Sequence, residues 1–238
     1  MEQDSTAEQR SLLADQTYET LKLAVLRNEL PPGTSLSVPE LARQLKVSRS
    51  PVREAVLRLI HDGLATQAMY RGAEVSRVDV EDLRQLYVVR EALEGVAARL
   101  ATEHLDSSHL EVLKEIVADH EVVVQAGADN AAHIELDMRF HREIRDLAGN
   151  PHLSFALEPI VGRSHIALHS LWRSPEAPRL ALDEHRLILD AMIAGDADAA
   201  EAAAQRHVAR LRVRLARAVP AGTEPVKHRL RPQLSHLA

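Results

Sequence analysis

The sequence predicts a mainly α chain: an N-terminal winged helix-turn-helix followed by a C-terminal all-α helical bundle. Three observations carry that prediction. Residues 37–60 hold two short amphipathic segments separated by a tight turn. The stretch "LATQAMYRGAEVSRV" at 64–78 reads as two short strands around a turn containing Arg71 and Gly72. From Val80 to Val219 apolar residues recur at helical spacing, with no alternating strand pattern.

The elements follow in order. Residues 1–14 are polar and read as a flexible arm. Tyr18, Leu21, Ala24, Val25 and Leu30 predict a first helix, stopped by "PPG" at 31–33. In "SVPELARQL", Ser37 and Glu40 form an S-x-x-E capping box, with Pro39 in the first turn. Leu41, Ala42 and Leu45 give this second helix a short apolar stripe. A third helix opens at Ser48 or Ser50. Its Val52, Ala55, Val56, Leu59 and Ile60 form an amphipathic face, and Gly63 ends it. Residues 15–78 thus make one module.

Breaks at 104–109, 126–130, 148–151, 173–178 and 194–198 divide residues 79–219 into about six helices. In "AGNP", Gly149 is the C-cap, Asn150 the N-cap and Pro151 the first helical residue. Residues 220–238 show little periodicity and read as a flexible tail.

Composition agrees with this division. A length of 238 residues suits two domains. Only 3% of residues are aromatic, so the core must be Leu, Val, Ile and Ala, which favours packed helices. There is no cysteine, which excludes a thiol nucleophile or a Cys-ligated metal and suits a reducing compartment. The N-terminus "MEQDSTAEQR" is unlike a signal peptide, and no apolar run approaches a membrane span. A soluble cytoplasmic protein is expected.

Charge is uneven. Residues 17–77 carry nine Lys/Arg against six Asp/Glu, whereas the remainder carries 20 against 29. A small basic module on an acidic body points weakly to a polyanion. The helix-turn-helix sharpens the point. Its second helix enters the DNA major groove N-terminus first. Arg49 and Arg53 then stand roughly 5–6 Å apart at the entering end. Arginine offers a planar donor fork suited to guanine edges or phosphate. The alternative is a merely solvated helix face.

Several polar residues occupy inward positions in the second module. Asp137 and His141 interrupt the stripe Ile134, Asp137, His141, Ile144, Ala148. His185 falls among Leu182, Leu189 and Met192, and His207 among Ala204, Leu211 and Leu215. In an antiparallel hairpin turning at Gly195, His185 and His207 reach similar heights. One inward histidine is ordinarily a hydrogen-bonded core residue. Three with one aspartate suit Zn²⁺, with Ni²⁺ or Mn²⁺ as alternatives. His133 lies on the same face and could support the set; the remaining histidines read as surface or core. Arg90 lies within the stripe Leu83, Leu86, Leu93, Ala97, Leu100. A buried arginine needs an anion. Either Glu94, one turn on, or a ligand carboxylate could supply it.

The stretch "LARQLKVSRSPVREAVLRLIHDGLA" followed by "RGAEV" resembles the winged helix of GntR-family bacterial transcription regulators. The resemblance covers about residues 15–78. It implies DNA contacts from Ser48, Arg49, Ser50 and Arg53, with Gly72 at the wing tip. Two departures leave the operator sequence open: Lys46 stands where the family often has Gly, and Pro39 where some members have a DNA-contacting Arg. "DLRQLYVVREALEGVAARLA", "DMRFHREI…AGNP" and "DEHRLILDAMIAGDADAA…RH" look like the FCD effector domain, named for the FadR C-terminal domain. In its metal-containing branch one Asp and three His hold a divalent ion. They match Asp137, His141, His185 and His207, one ion per chain. The ion and an Arg on the first domain helix, here Arg90, bind a small carboxylate effector. The acyl-CoA-binding branch lacks this quartet.

The resemblance implies a homodimeric, ligand-responsive regulator on a palindromic operator, with repression favoured and a small organic or sugar acid as effector. The effector would alter the spacing of the two DNA-binding modules. Two other readings compete. A helical metallohydrolase would use the Asp/His₃ site to activate water, but no carboxylate besides Asp137 is clearly placed inward. A metal-ion sensor would take the ion itself as its signal.

Overall fold

The protein is described by a computed structural model over residues 2–68, 72–77, 80–127, 130–171 and 176–218. It divides into two compact units between Val78 and Asp79. The turn at 69–71, which contains Arg71, and the tail at 220–238 lie outside the described residues.

The first unit opens with α1 (Glu2–Leu26). This helix begins within the stretch read as an arm, for "EQDSTAEQRS" contains no Gly or Pro to prevent it. It also stops earlier than "PPG". Asn28 takes φ 59, a left-handed conformation that asparagine tolerates, and the chain leaves the helix there. Leu30 is still fully buried, but in the following loop. Next come α2 (Val38–Leu45) and α3 (Arg49–His61). Ser37 and Ser48 are their N-caps, yet neither side chain makes a capping bond. The expected capping box therefore does not close. Glu40 is drawn forward instead, to Arg43 Nη2 at 2.6 Å and Gln44 Nε2 at 2.8 Å. Past α3, Gly63 adopts φ 70.

Strands β1 (Ala65–Ala68) and β2 (Gly72–Val75) pair antiparallel, with Ala65 opposite Val75 and Ala68 opposite Gly72. The loop before α2 joins β2: Leu36 N donates to Ala73 O and Val75 N to Thr34 O. The wing is thereby fixed to the helix-turn-helix, over a core that includes Leu21, Leu41, Val52, Leu59 and Leu64.

The second unit is helical throughout its described residues: α4 (Val80–His104), α5 (Ser107–Ala126), α6 (Asn130–Leu147), α7 (Pro151–Leu171), α8 (Ala177–Ile193) and α9 (Ala197–Ala218). Its breaks follow cap chemistry. Asp106 accepts from His109 N at the start of α5, and Gly127 ends that helix at φ 60. Asn150 Oδ1 accepts from His152 N and Leu153 N at 3.1 Å, so the N-cap expected in "AGNP" is present. Small residues let α4 and α9 approach closely. Ala97, Ala98 and Ala101 share the core with Ala200, Ala203 and Ala204. A Cβ at Gly95 would lie 2.6 Å from Gln205 Cγ.

Candidate functional site

The first unit presents its predicted DNA-contact residues to solvent. Ser48, Arg49, Ser50 and Arg53 are exposed at the start of α3, while Val52, Ala55, Val56 and Leu59 bury its other face. Among the described residues, Arg49 and Arg53 pair with no carboxylate. By contrast, Arg43 is held by Glu40 at 2.6 Å, Arg58 by Asp15 at 2.5 Å and Arg77 by Glu74 at 3.4 Å. Unpaired cations on an exposed face are available to an anionic partner. Arg53 and Gly72 also line one shallow depression, together with Pro39 and Leu57. Gly72 adopts φ 84, and a Cβ there would meet nothing within 4 Å. Backbone conformation, rather than close packing, is what calls for glycine.

The second unit gathers the predicted quartet. Asp137 and His141 on α6, His185 on α8 and His207 on α9 are all buried. Each offers one ligand atom within 4.8 Å of the others. His141 Nε2 lies 3.2 Å from His207 Nε2, and His185 Nε2 lies 3.3 Å from Asp137 Oδ1. An ion bound at about 2.0–2.1 Å sets tetrahedral ligand–ligand edges of about 3.3 Å. Both separations match such an edge. His185 Nε2 and Asp137 Oδ1 also have no hydrogen-bond partner despite being buried. The donor set therefore fits a first-row divalent ion.

The outer partners orient these rings. Glu184 Oε2 lies 2.9 Å from His207 Nδ1, and Glu94 Oε2 lies 3.3 Å from His141 Nδ1. A carboxylate at Nδ1 places the proton there and leaves the Nε2 lone pair for an ion. Phe140 stacks on His185, ring centroids 4.3 Å apart. Burial pushes the Asp137 carboxyl up, but His165, His185 and His141 outweigh it and hold Asp137 well below the carboxylate range. Burial pushes His207 down to about 3 against the opposing pull of Glu184.

Sequence reasoning missed three members of this set, His165, His120 and Glu184, and named Glu94 only as a partner for Arg90. His165 on α7 is fully buried, its Nε2 3.2 Å from Asp137 Oδ2. His120 on α5 is buried, its ring 5.9 Å from that of His185. The signal that exposed the quartet was present for both. His165 continues the stripe Leu157, Val161, and His120 the stripe Leu113, Ile116. His133 is buried as well, its ring 5.5 Å from that of His120, which itself neighbours His185. The expectation that no further carboxylate points inward is incorrect. Glu94 and Glu184 are both buried, because each has a histidine and arginines to meet. Those partners overcome burial and hold both carboxyls below their ordinary range, which suits an orienting group rather than a general base.

Arg90 on α4 is fully buried. Glu94 Oε1 meets its Nε at 3.3 Å, so the first of the two expected partners is real. That contact leaves Nη1 and Nη2 buried without a hydrogen-bond partner. Glu94 thus satisfies one of the three guanidinium nitrogens.

Comparison with known proteins matches both units. Residues 13–75 match the family described as "Bacterial regulatory proteins, gntR family", and residues 85–210 match "FCD domain". The chain belongs to the GntR family of bacterial regulators, with an FCD domain as its second module. This GntR/FCD protein is 32% identical to the "Probable D-xylose utilization operon transcriptional repressor" of Paenarthrobacter nicotinovorans, over 84% of this chain and 87% of the relative. Against the "HTH-type transcriptional repressor RspR" of Escherichia coli (strain K12) identity is 26%, over 81% and 84% of the two chains. Among solved structures, E. coli McbR/YncC aligns with a TM-score of 0.74 at 27% identity, covering 86% of this chain and 97% of that one. The GntR/FCD protein is a DNA-binding transcriptional regulator and not an enzyme, which removes the metallohydrolase reading. No helix among its described residues is long and apolar enough to cross a membrane.

Proposed function

We propose that this regulator is a homodimeric repressor whose operator binding is controlled by a small hydroxy- or keto-carboxylate. The effector is held between a divalent ion and Arg90. One observation carries the reading: a buried Asp/His₃ set with ligand-edge spacing shares the unit with a buried guanidinium that has two unsatisfied nitrogens. Asp137, His141, His185 and His207 would hold the ion, Zn²⁺ being suited to imidazole with one carboxylate. When bound, the ion supplies a Lewis-acidic anchor for carboxylate oxygen. Glu94 and Glu184 fix the rings of His141 and His207. Arg90 offers a planar fork to the effector's carboxylate, which lysine cannot reproduce. The exposed ends of two α3 helices would read the two halves of a palindrome. Relatives named as repressors support the sign of regulation.

Elemental analysis tests the metal. About one ion per chain is expected, as a single such site requires, with most of it lost in His185→Ala. If that variant keeps its full metal content, the ion sits elsewhere and His185 is a core residue.

A further inference from the structure

The end of the second unit departs from the acidic character of the rest of the chain. Residues 206–238 hold eight Lys/Arg and one acidic residue, Glu224, whereas residues 1–205 hold 21 Lys/Arg and 34 Asp/Glu. That cation excess is larger than the one in the DNA-binding module, where nine face six over 17–77. Five of the eight, Arg206, Arg210, Arg212, Arg214 and Arg217, stand on α9.

These five differ in their surroundings. Arg214 Nη2 lies 2.8 and 2.5 Å from the two oxygens of Glu184, and Arg212 meets Glu91 at 3.5 Å. Arg210 touches Glu184 at 3.4 Å, yet its side chain stays 58% exposed. Arg206 and Arg217 are exposed and pair with no carboxylate among the described residues. At 3.6 residues per turn, Arg206, Arg210 and Arg217 fall within about 40° of one another, on a stripe about 16 Å long.

Two ordinary explanations do not cover this stripe. The helix macrodipole favours cations in the last turn, but Arg206 lies three turns before the end of α9 at Ala218. Solvated helix faces set acids against bases at i+3 or i+4, as Glu40 with Arg43, Glu111 with Lys114 and Asp183 with Arg186 do here. After Glu201, α9 contains no acidic residue. Arg206 and Arg210, four apart, repel one another instead. A polyanion laid along the stripe would offset that repulsion. The run of cations also continues in the sequence, through Lys227, Arg229 and Arg231, which lie outside the described residues. Arg231 follows Ala218 by 13 residues, at most about 45 Å of chain.

We propose that the Arg206/Arg210/Arg217 face of α9, together with Lys227, Arg229 and Arg231, is a second DNA-contact surface, one that binds the phosphate backbone without reading sequence. The regulator's DNA supplies the polyanion, and a 16 Å length of duplex axis carries about ten phosphates. The proposal needs neither the metal nor the effector.

The test is the salt dependence of binding. Affinity of the full chain for a mixed-sequence DNA duplex is measured by fluorescence anisotropy at several salt concentrations. Arg206→Gln combined with Arg217→Gln should lower the slope of log affinity against log salt by about 1.8, at about 0.9 per phosphate contact. From about 50 to 200 mM salt this variant should therefore lose about twelvefold less affinity than the wild type. Lys227→Gln, Arg229→Gln and Arg231→Gln together should lower the slope by about 2.7. As a control, Arg84→Gln combined with Arg139→Gln changes exposed arginines of α4 and α6 that have acidic partners, and should leave the slope as it is. The α9 variant removes no buried group, so its Tm should hold. If both test variants keep the wild-type slope and affinity, the surface does not meet DNA and the proposal fails. A change in only one of them removes the other segment from the surface. If the control lowers the slope as much per charge, the effect is one of net charge and the face is no site. A kept slope with a lowered Tm would assign these cations to the chain's own acidic residues and overturn the proposal.

Discussion

Lys46 ends α2 at φ 55, in the left-handed region, where a Cβ crowds the backbone. The turn of the helix-turn-helix imposes that conformation, which glycine would adopt freely. Lys46→Gly should therefore stabilise the first unit by about 1 kcal/mol, read as a raised Tm by circular dichroism. An unchanged or lowered Tm would mean that the lysine side chain makes a compensating contact. Single residues also show where sequence reasoning succeeded. Arg90 and the quartet were legible because each is a polar group at an apolar position of a helix. Arg90's divided role was not. Helical spacing names Glu94 as a neighbour but cannot say that only Nε meets it.

At the scale of elements, α3 is the clearest link from sequence to function. Its apolar stripe buries one face, and that fixes Arg49 and Arg53 on the other. Neighbouring arginines pair with carboxylates; among the described residues these two do not. Arg53→Ala should leave folding intact. If the side chain reads a base, operator affinity should fall by roughly 1–3 kcal/mol. If it meets phosphate, binding should weaken on every sequence and the salt slope should drop by about one. Operator titrations at several salt concentrations separate the two, and identical affinities throughout would remove this face of α3 from the interface. Element ends were less legible than element faces. Asn28 stops α1 before the prolines do, and Glu40 bonds Arg43 and Gln44 while the Ser37 side chain makes no cap bond. In both cases several local partners compete, and spacing alone does not rank them. The same holds for Glu184, whose partners His207 and Arg214 come from α9 and do not show in local spacing.

Over the whole molecule, the two units should respond differently to acid. The first unit's described histidine, His61, is exposed. The second unit buries His120, His165 and His207, and burial pushes them down to about 3, about 4 and about 3. In the unfolded chain these imidazoles take up protons near the ordinary value of about 6.5. Between that value and about 4 the unfolded state binds more protons than the folded one, so stability falls as pH falls. Asp137, whose carboxyl is held low, adds a further loss of the same sign below the ordinary carboxylate range. For the chelated, metal-free chain, calorimetry should show the second unit's Tm declining steadily from neutral pH to pH of about 4.5. Zinc should raise that Tm at neutral pH, because an ion that binds only the folded state stabilises it by mass action. The zinc increment should shrink below pH of about 6.5, as protons compete for the imidazoles. A metal-free Tm that stays flat across this range would show that the buried imidazoles are not held neutral. A zinc increment independent of pH would show that histidines are not the ligands.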